Sequence, residues 1–356
     1  MRAGTTKPVM LLHCLAERER GMGHLLRCRM LLEHLAAEGS AIVTCPDETC
    51  REYLASSGLP WRELSPRLAG GALGLELGSL ARETGADVVV LDRKDNSREL
   101  VLAVRQRGLS VVDIEDTGPG RFEADILLDP HIQPGSREAA CGGRAECCFG
   151  PGWALIDPAY TNFREEANDL EHKGPLRVTV SLGGSDPSGI SGTVLHTLTK
   201  VQEKLEINLV LGPGAESTPT IRSGGREVNI HRSPRSLSPL LAASGMAIVS
   251  GGITMFESLC LGVPTVVVPQ HGEQYRNASR LARIGALLVV PPPDGESSAI
   301  GLEVAVRELA GNRELQRKLA ARGAELVDGR AVQRLAEKIN EMLCRTENGS
   351  ITADAV

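Results

Sequence analysis

Short apolar runs alternate with amphipathic helical patterns along most of this chain of 356 residues. The apolar runs are rich in β-branched and aliphatic residues and predict strands at 9–12, 41–45, 88–91, 110–113, 126–128, 177–181, 208–211, 228–231, 247–249, 265–268 and 287–290. Continuous runs of this kind are typical of strands that are buried on both faces, as in a parallel sheet. The alternation therefore predicts α/β units with right-handed crossovers.

The length of the chain favours two domains of moderate size. We expect the joint at 164–175, where a polar stretch is followed by Lys173-Gly174-Pro175, which breaks regular structure. The predicted divisions are an N-terminal Rossmann-like domain at 1–165, a C-terminal Rossmann-like domain at 175–330, a helix at 331–345 that packs on either domain, and a disordered tail at 346–356. Two doubly wound domains facing across a cleft bind ligands at the carboxyl ends of their strands. The glycine-rich stretch 70–78 predicts a loop.

The composition argues against several classes of partner. A net charge of −6 disfavours nucleic-acid binding through backbone neutralisation, although it allows a local phosphate site. No apolar run reaches the ~18 residues that a transmembrane helix needs. The nine cysteines are irregularly spaced without a Cys-x-x-Cys pair, so we expect no structural zinc. Cys14, Cys45 and Cys260 are interpreted as buried free thiols, which favours a reducing, cytoplasmic setting.

A glycine turn, Gly21-Met22-Gly23-His24, follows the first predicted strand and opens a helical pattern. The turn places His24 at the positive end of a helix dipole, which disfavours the imidazolium and keeps the ring able to accept a proton. A neutral histidine is a good general base near neutral pH. The alternative is a glycine turn in which His24 only caps the helix.

Acidic residues end two predicted strands of the first half. Asp92 follows one strand, and Asp113, Glu115 and Asp116 cluster at the end of the next. Carboxylates at the carboxyl ends of strands can orient a base or a substrate hydroxyl, but they are also common loop residues.

The segment 181–187 joins a strand to a helix and contains Gly183, Gly184 and Ser185. The glycines expose backbone amides that bind anions, and Ser185 or Asp186 can cap the next helix. An anion site and a simple capped helix start fit this segment equally well.

The segment 250–257 is another turn from a strand into a helix. Gly251 and Gly252, adjacent at the helix N-terminus, form a cradle for a diphosphate. Glu257, about one turn into the helix, can accept hydrogen bonds from ribose hydroxyls; the alternative is a favourable interaction with the helix dipole alone. The glycines, Thr254 and Glu257 together favour a nucleotide site.

The segment 269–274 ends the next strand and should lie beside the segment 250–257 on the same sheet edge. Its polar amides, including Gln274, can recognise a base, a phosphate or a sugar. No Gly-x-x-x-x-Gly-Lys-Ser/Thr loop, no complete dinucleotide fingerprint and no Gly-x-Ser-x-Gly elbow occurs in the sequence. We therefore expect no P-loop ATPase, no NAD-dependent enzyme, no cofactor and no metal.

Together and in this order, the motifs resemble those of the nucleotide-sugar hydrolases of pseudaminic acid biosynthesis and the related spore-coat polysaccharide proteins (PseG/SpsG). That family is similar in turn to MurG-type transferases, which have the two-lobed GT-B fold. The residues that carry the resemblance are the turn at 21–24 with Arg27, the acidic strand end at 111–116, the Gly-Pro segment at 150–155, the turn at 181–187, and the segment 250–257 with Gln274. The resemblance covers most of the chain.

The resemblance implies an enzyme that hydrolyses the anomeric C–O bond of a UDP-linked amino or deoxy sugar and releases UDP, with His24 as the general base for water. The other residues implied in binding the UDP-sugar are Gly21, Gly23, Arg27, Asp92, Gly183, Gly184, Ser185, Ser250, Gly251, Gly252, Thr254, Glu257 and Gln274. Two alternatives use the same residues: a GT-B glycosyltransferase with a UDP-sugar donor and a hydroxyl acceptor, and a nucleotide-sugar binding protein without catalysis. Neither the oligomeric state nor the choice of uridine over cytidine follows from the sequence.

Overall fold

The computed structural model describes residues 7–16, 22–132, 134, 144–167, 174–183, 189–212, 227–291 and 296–353. The chain divides into two compact units. The first comprises Met1–Leu155 and Arg330–Val356, and the second comprises Ile156–Gly329. Each unit is built on one parallel sheet.

The sheet of the first unit has seven strands. In chain order they are β1 Met10–Cys14, β2 Ala41–Thr44, β3 Trp61–Glu63, β4 Val88–Asp92, β5 Ser110–Ile114, β6 Ile126–Asp129 and β7 Glu146–Phe149. Their order across the sheet is β3-β2-β1-β4-β5-β6-β7, so the winding direction reverses between β1 and β4. Its helices are α1 Gly23–Leu35, α2 Glu48–Ser57, α3 Gly70–Thr84, α4 Arg98–Arg105 and, at the end of the chain, α12 Ala331–Ala353.

The sheet of the second unit has six strands. They are β8 Leu176–Ser181, β9 Leu205–Leu211, β10 Glu227–Arg232, β11 Met246–Val249, β12 Thr265–Val267 and β13 Leu288–Val289. The order is β10-β9-β8-β11-β12-β13, with the reversal between β8 and β11. The helices of this unit are α5 Arg164–Ala167, α6 Ile190–Thr199, α7 Ser238–Ala242, α8 Ile253–Cys260, α9 Gly272–Arg283, α10 Glu296–Gly311 and α11 Arg313–Leu326.

The central strands of the first unit are apolar without interruption because both of their faces are covered. Met10 and Leu12 of β1 pack into one hydrophobic core, whereas Leu11 packs into the core on the opposite face. This is the burial expected of a doubly wound parallel sheet. The predicted α/β fold class is confirmed, and the predicted strands correspond to strands of the structure. The edge strands β3 and β7 were not predicted, because they are short and lack a β-branched run.

The prediction of a loop at 70–78 is wrong, since these residues begin the helix α3. Its glycines lie where α3 crosses α4. A Cβ at Gly74 would lie 2.4 Å from the Leu100 carbonyl oxygen and 2.8 Å from Ala103 Cβ. The glycines therefore allow two helices to approach closely, and this requirement outweighs their low helix propensity.

The division between the units falls earlier than the joint expected at 164–175. Arg164 donates from Nη1 to the Val327 carbonyl over 3.2 Å and from Nη2 to the Ala324 carbonyl over 2.9 Å. These contacts attach the segment that precedes β8 to the second unit, so this unit begins at Ile156.

The C-terminal helix belongs to the first unit. Ala331, Val332, Leu335 and Ile339 are buried in the same core as β1 and α1. The helix α12 extends to Ala353, so the structure is helical through most of the tail that the sequence predicted to be disordered.

Two cysteines are buried as expected and one is not. Cys14 and Cys260 are fully buried, but Cys45 is only half-buried because it lies just beyond the end of β2. Cys147, on β7, is disulfide-bonded, so the reducing, cytoplasmic setting stays a prediction. Among the described residues, no helix is long and apolar enough to span a membrane.

Candidate functional site

The first candidate site lies at the carboxyl edge of the first sheet, at the reversal between β1 and β4. The register pairs Cys14 with Asp92, so the segments that follow these two strands leave the sheet side by side. α1 begins at Gly23, and His24 is its second residue. Gly21 lies outside the described residues. Doubly wound sheets bind their ligands at such reversals.

His24 and Asp92 form a hydrogen-bonded pair. His24 Nδ1 lies 2.7 Å from Asp92 Oδ1, and the Asp92 side chain is fully buried. Burial alone raises the pKa of Asp92, but the charges of Arg27 and His24 outweigh burial and hold this pKa well below its usual range. His24 Nδ1 also lies 3.3 Å from Arg27 Nη2, but Asp92 is the nearer partner. Because an ionised carboxylate only accepts hydrogen bonds, Nδ1 carries the proton in the neutral ring and the Nε2 lone pair is left to accept one. The His24 side chain is 17% exposed, so water can reach the ring.

Arg27 holds Asp92 from the other side. Its Nε donates to Asp92 Oδ2 over 2.8 Å, and its Nη2 donates to Oδ1 over 2.6 Å. This bidentate pairing fixes the plane of the carboxylate. Cys28 adds a contact of 3.9 Å from its Sγ to Oδ2. The spacing on α1 explains the arrangement, since residues three and four positions apart share one helix face.

Glu115 extends this network from the end of β5. Its carboxylate accepts a hydrogen bond from Arg27 Nη1, and its Oε2 lies 4.0 Å from His131 Nε2. Burial by itself raises the pKa of Glu115. The positive charge of Arg27 and the neighbouring His131 lower this pKa by more than burial raises it, so the net shift is downward. The backbone of Glu115 has φ of +54°, in the left-handed region that side chains other than glycine rarely adopt.

Asp113 and Asp116 form a separate buried pair. Asn96 Nδ2 donates to Asp113 Oδ1 over 2.9 Å, while the backbone amides of Asn96 and Gly118 donate to Asp116 Oδ1. Burial and the neighbouring Asp116 raise the pKa of Asp113 well above its usual range. Among the described residues, the two Oδ2 atoms have no other donor, which is consistent with one proton shared between the carboxyl groups. The acidic end of β5 therefore contributes to the first site through Glu115.

The second candidate site occupies the corresponding position in the second sheet. Ser181 of β8 lies beside Val249 of β11, at the reversal of strand order. The turn after β11 leads directly into α8, and Gly252 at its N-cap has no side chain to accept hydrogen bonds from the first amides. These amides are left for other acceptors, and an anion is the acceptor that a helix N-terminus favours.

Ser250 lies between two glycines at this turn. It is buried, and its Oγ would lie 3.6 Å from a Cβ at Gly183 and 3.9 Å from one at Gly252. Gly183 has φ of +94°, so a side chain there would strain the backbone as well as fill the space beside Ser250. Gly184 and Ser185 lie outside the described residues.

Gln274 joins the turns that follow β11 and β12. Its Oε1 accepts from the Gly251 amide over 3.3 Å and from the Gln270 amide over 2.9 Å. Gln270 in turn donates from Nε2 to the Leu182 carbonyl. A Cβ at Gly251 would lie 2.7 Å from Gln274 Cβ, so glycine is required here. Because Oε1 holds the backbone, Nε2 is the end of Gln274 that can donate to a ligand.

Glu257 is half-buried, one turn into α8. Burial raises its pKa to about 7, and hydrogen bonds from the Tyr160 and Thr254 hydroxyls limit the rise. Tyr160 comes from the short 3-10 helix Pro158–Phe163 and is itself buried. Both protonation states of Glu257 are therefore populated near neutral pH.

The described candidates fall into two groups, one in each unit. The first group contains Gly23, His24, Arg27 and Asp92, and the second contains Gly183, Ser250, Gly251, Gly252, Thr254, Glu257 and Gln274. His131 and Tyr160 were not predicted from the sequence, and Gln270 was predicted only as part of the segment 269–274. His131 and Gln270 follow β6 and β12 at the carboxyl edges, which was the available signal; nothing in the spacing predicted the contact of Tyr160 with Glu257. Within the described ranges, no group of three or more His, Cys, Asp or Glu side chains is arranged to hold a metal ion.

Comparison with known proteins agrees with this architecture. Residues 178–339 match the glycosyltransferase family 28 C-terminal domain. The spore coat polysaccharide biosynthesis protein SpsG of Bacillus subtilis (strain 168) is 23% identical, with 91% of this chain and 95% of that protein covered. The crystal structure of Acinetobacter baumannii MurG superposes with a TM-score of 0.64 at 16% identity, covering 94% of this chain and all of the other. The spinosyn rhamnosyltransferase SpnG, complexed with thymidine diphosphate, has a TM-score of 0.59 at 16% identity, covering 92% of this chain and 100% of its own.

These similarities define the class of the protein as a GT-B fold of two doubly wound α/β units. Within this class the chain is similar to SpsG, and this similarity extends over nearly the whole length of both chains. These comparisons confirm the resemblance that the motifs indicated, to the PseG/SpsG group and its MurG relatives.

Proposed function

We propose that the protein is an enzyme acting on nucleotide sugars, and specifically a hydrolase that cleaves the anomeric C–O bond of a UDP-linked amino or deoxy sugar. The observation that carries this proposal is the pair of His24 and Asp92, whose hydrogen bond of 2.7 Å leaves Nε2 as the proton acceptor. A base of this kind is what the attack of water on a sugar requires.

In the proposed reaction, His24 Nε2 takes a proton from water as the water oxygen forms a bond to the anomeric carbon. The bond from that carbon to the diphosphate oxygen breaks, and its electron pair leaves with UDP. Asp92 holds the ring in the productive tautomer and stabilises the imidazolium that forms, as a carboxylate does in a catalytic triad.

The proposed diphosphate site is the turn at the start of α8. The backbone amides of Gly252 and Thr254 and the hydroxyl of Ser250 would donate to the phosphates, which stabilises the charge that develops on the leaving group. Gly251, whose amide donates to Gln274, would leave room for the phosphates because it has no side chain. Gly183 would supply a further glycine beside Ser250, and the binding roles of Gly184 and Ser185 stay predictions.

Two side chains complete the proposed nucleotide site. Glu257 would accept hydrogen bonds from the ribose hydroxyls, and Gln274 Nε2 would donate to a phosphate or to the sugar. A nucleoside diphosphate as ligand is supported by SpnG, a protein of similar fold whose structure contains thymidine diphosphate. The name of SpsG, a spore coat polysaccharide biosynthesis protein, supports a role in supplying sugars to a polysaccharide.

Glycosyl transfer is the second candidate function. It is favoured by the match of residues 178–339 to a glycosyltransferase domain and by the similarity to MurG. In that reaction His24 would deprotonate an acceptor hydroxyl instead of water.

The test is to incubate the purified protein with UDP-linked amino and deoxy sugars, and with thymidine analogues, in the absence of any acceptor. Prompt release of the nucleoside diphosphate is the result expected of a hydrolase, whereas release only after a hydroxyl acceptor is added would indicate a transferase. Thermal stabilisation by UDP without turnover of any sugar, with or without an acceptor, would indicate a binding protein.

The role of His24 is tested in the same assay with His24→Ala. We expect turnover to fall by about 10²–10⁴-fold while UDP binding is retained. His196→Ala, which removes an exposed histidine on α6, is the matched control and should leave turnover unchanged. Normal turnover by His24→Ala would show that this residue is not the base.

A further inference from the structure

We propose that Glu115 is a positioning residue of the first site: it holds Arg27 against Asp92 and, through that carboxylate, determines the orientation and proton affinity of His24. The inference rests on the proposed role of His24 and extends it to a residue that does not itself contact His24. It also gives Arg27 a different task from the substrate binding that the sequence suggested.

The Arg27 guanidinium is already occupied by two carboxylates. Nε and Nη2 donate to Asp92, and Nη1 donates to Glu115. The Arg27 side chain is only 9% exposed, between a fully buried Asp92 and a Glu115 side chain that is 14% exposed. All three nitrogens therefore have carboxylate partners, and little of the group is left for a phosphate.

The backbone at Glu115 has an unusual conformation at the point where its side chain contacts Arg27. Glu115 follows β5 with φ of +54°, a conformation that is unfavourable for glutamate. Its backbone amide donates to the Leu128 carbonyl over 2.8 Å, which pins this turn to the end of β6. The unfavourable turn directs the side chain towards Arg27, and such outliers concentrate at functional sites.

Several charged and titratable groups surround His24 and Asp92. The groups around His24 and Asp92 are Arg27 and Cys28 on α1, Cys14 and His13 on β1, Arg93 after β4, Asp113 on β5, and Glu115 and His131 after β5 and β6. Asp92 and Glu115 supply two negative charges for the one positive charge of Arg27. Removing the charge of Glu115 leaves Arg27 to neutralise Asp92 alone, so the imidazolium of His24 loses stabilisation.

The variant Glu115→Gln separates this role from a merely structural one, because glutamine keeps the length of the side chain and can still accept from Arg27. We expect the pKa of His24, read by NMR titration of labelled histidine without substrate, to fall by about 0.3–1 unit. The acid limb of the kcat/KM profile should move to lower pH by the same amount. The plateau of kcat should fall about 2–10-fold, because a weaker base accepts a proton less readily.

The matched control is Glu33→Gln. Glu33 forms an Arg–Glu pair with Arg29 on the same helix at 2.7 Å, but both side chains are exposed to solvent. This variant should change neither the His24 titration nor the kcat/KM profile. Glu115→Asp keeps the charge and tolerates a positive φ, so it should return the His24 titration towards that of the wild type.

A His24 titration that is identical in the wild type and in Glu115→Gln overturns the proposal. So does a shift that Glu115→Asp fails to reverse, because the charge of Glu115 would then not be its cause. The titration needs no turnover, so its result is independent of the hydrolysis assay, in which His24→Ala tests the proposed function itself.

Discussion

The two units have the same architecture but use it differently at corresponding places. In both sheets, the candidate residues follow the strands on either side of the reversal, β1 and β4 in the first unit and β8 and β11 in the second. The first site is a network of ionised side chains in which Asp92 and Glu115 surround Arg27. The second is built from glycines, backbone amides and the amide side chain of Gln274.

The difference teaches how one fold supports two kinds of chemistry. The reversal in a parallel sheet determines where a ligand can approach, whichever residues are present. Charged side chains at that place can hold a proton on one atom, as the hydrogen bond between Asp92 and His24 Nδ1 does. A helix start with glycine at its N-cap, such as α8, favours an anion. Variants that affect only one of the two functions test whether this division of tasks is correct.

The largest expected effect is on turnover, from Asp92→Asn. Asparagine must present either an oxygen or an amide to His24 and Arg27, and an amide facing Nδ1 reverses the tautomer that leaves Nε2 unprotonated. We expect kcat to fall by about 10²–10⁴-fold, with the Kd of UDP little changed. Steady-state kinetics and calorimetric titration with UDP measure the two quantities.

The control for this variant is Asp87→Asn. Asp87 precedes β4 at the opposite edge of the sheet and accepts from the Val9 amide over 2.9 Å. The control loses the same charge and should keep full turnover. If Asp92→Asn weakened UDP binding as strongly as it slowed turnover, the separation of tasks between the sites would be wrong.

The next effect is on nucleotide binding, from Gly251→Ala. The new Cβ would lie 2.7 Å from Gln274 Cβ, so the turn or α9 must shift and the amides move with it. We expect the Kd of UDP to rise about 10–100-fold, equivalent to about 1.4–2.7 kcal/mol, with no change in the titration of His24. Gly192→Ala is the matched control because a Cβ there meets nothing within 4 Å. An unchanged Kd for Gly251→Ala would argue against a diphosphate at this turn.

A smaller effect is expected on the pH dependence of UDP affinity, which should depend on Glu257 of the second site. The pKa of Glu257 is raised to about 7, so its acceptor form is lost as the pH falls through this value. If the ionised carboxylate binds ribose, the affinity for UDP should fall several-fold between pH 8 and pH 6, in proportion to the ionised fraction. Glu257→Gln should bind UDP more weakly and without this dependence, whereas Glu308→Gln, at an exposed position of α10, should keep the dependence. A pH-independent affinity in the wild type would contradict the ribose assignment.

The smallest effect is on stability, from the buried pair beside the first site. The pKa of Asp113 is raised in the folded protein, so its contribution to folding is present below its ordinary pKa and is lost as the pH rises through the raised value. Asp113→Asn does not titrate and donates from Nδ2 in place of the shared proton. Relative to the wild type, we expect the free energy of unfolding of this variant to increase as the pH rises from 5 to 8, by at most about 1.4 kcal/mol for each pH unit. Urea denaturation at both pH values measures this; an equal difference at the two values would exclude a shared proton.

Much of the fold could be predicted from local patterns. The strands that flank both reversals are continuous apolar runs, and their burial on two faces follows directly from that pattern. The edge strand β7 and the helix α3 were missed for opposite reasons. β7 is short and has no β-branched residue, so it carries little strand signal. The glycines of α3 suggest a loop, and only the helix they pack against explains them.

The positions of the candidate residues were also predictable in part. His24, Asp92, Ser250 and Gln274 directly follow strands or begin helices, and these positions are recognisable along the chain. Their partners were not predictable: Tyr160 reaches Glu257 from a segment almost 100 residues earlier in the sequence, and nothing in the spacing of either residue indicates this contact.

The sequence by itself determined the α/β class, the turns at which the candidate residues concentrate, and the presence of His24 at a helix start. These are properties of neighbouring residues, which helix and strand periodicity expresses locally. Only the tertiary structure decided that Asp92 orients His24, that two carboxylates hold Arg27, and that α12 packs in the first unit. The hydrogen bonds that join His24 and Arg27 to Asp92 and Glu115 link residues 65 to 88 positions apart, and such pairs form through the packing of strands and helices rather than through any local pattern.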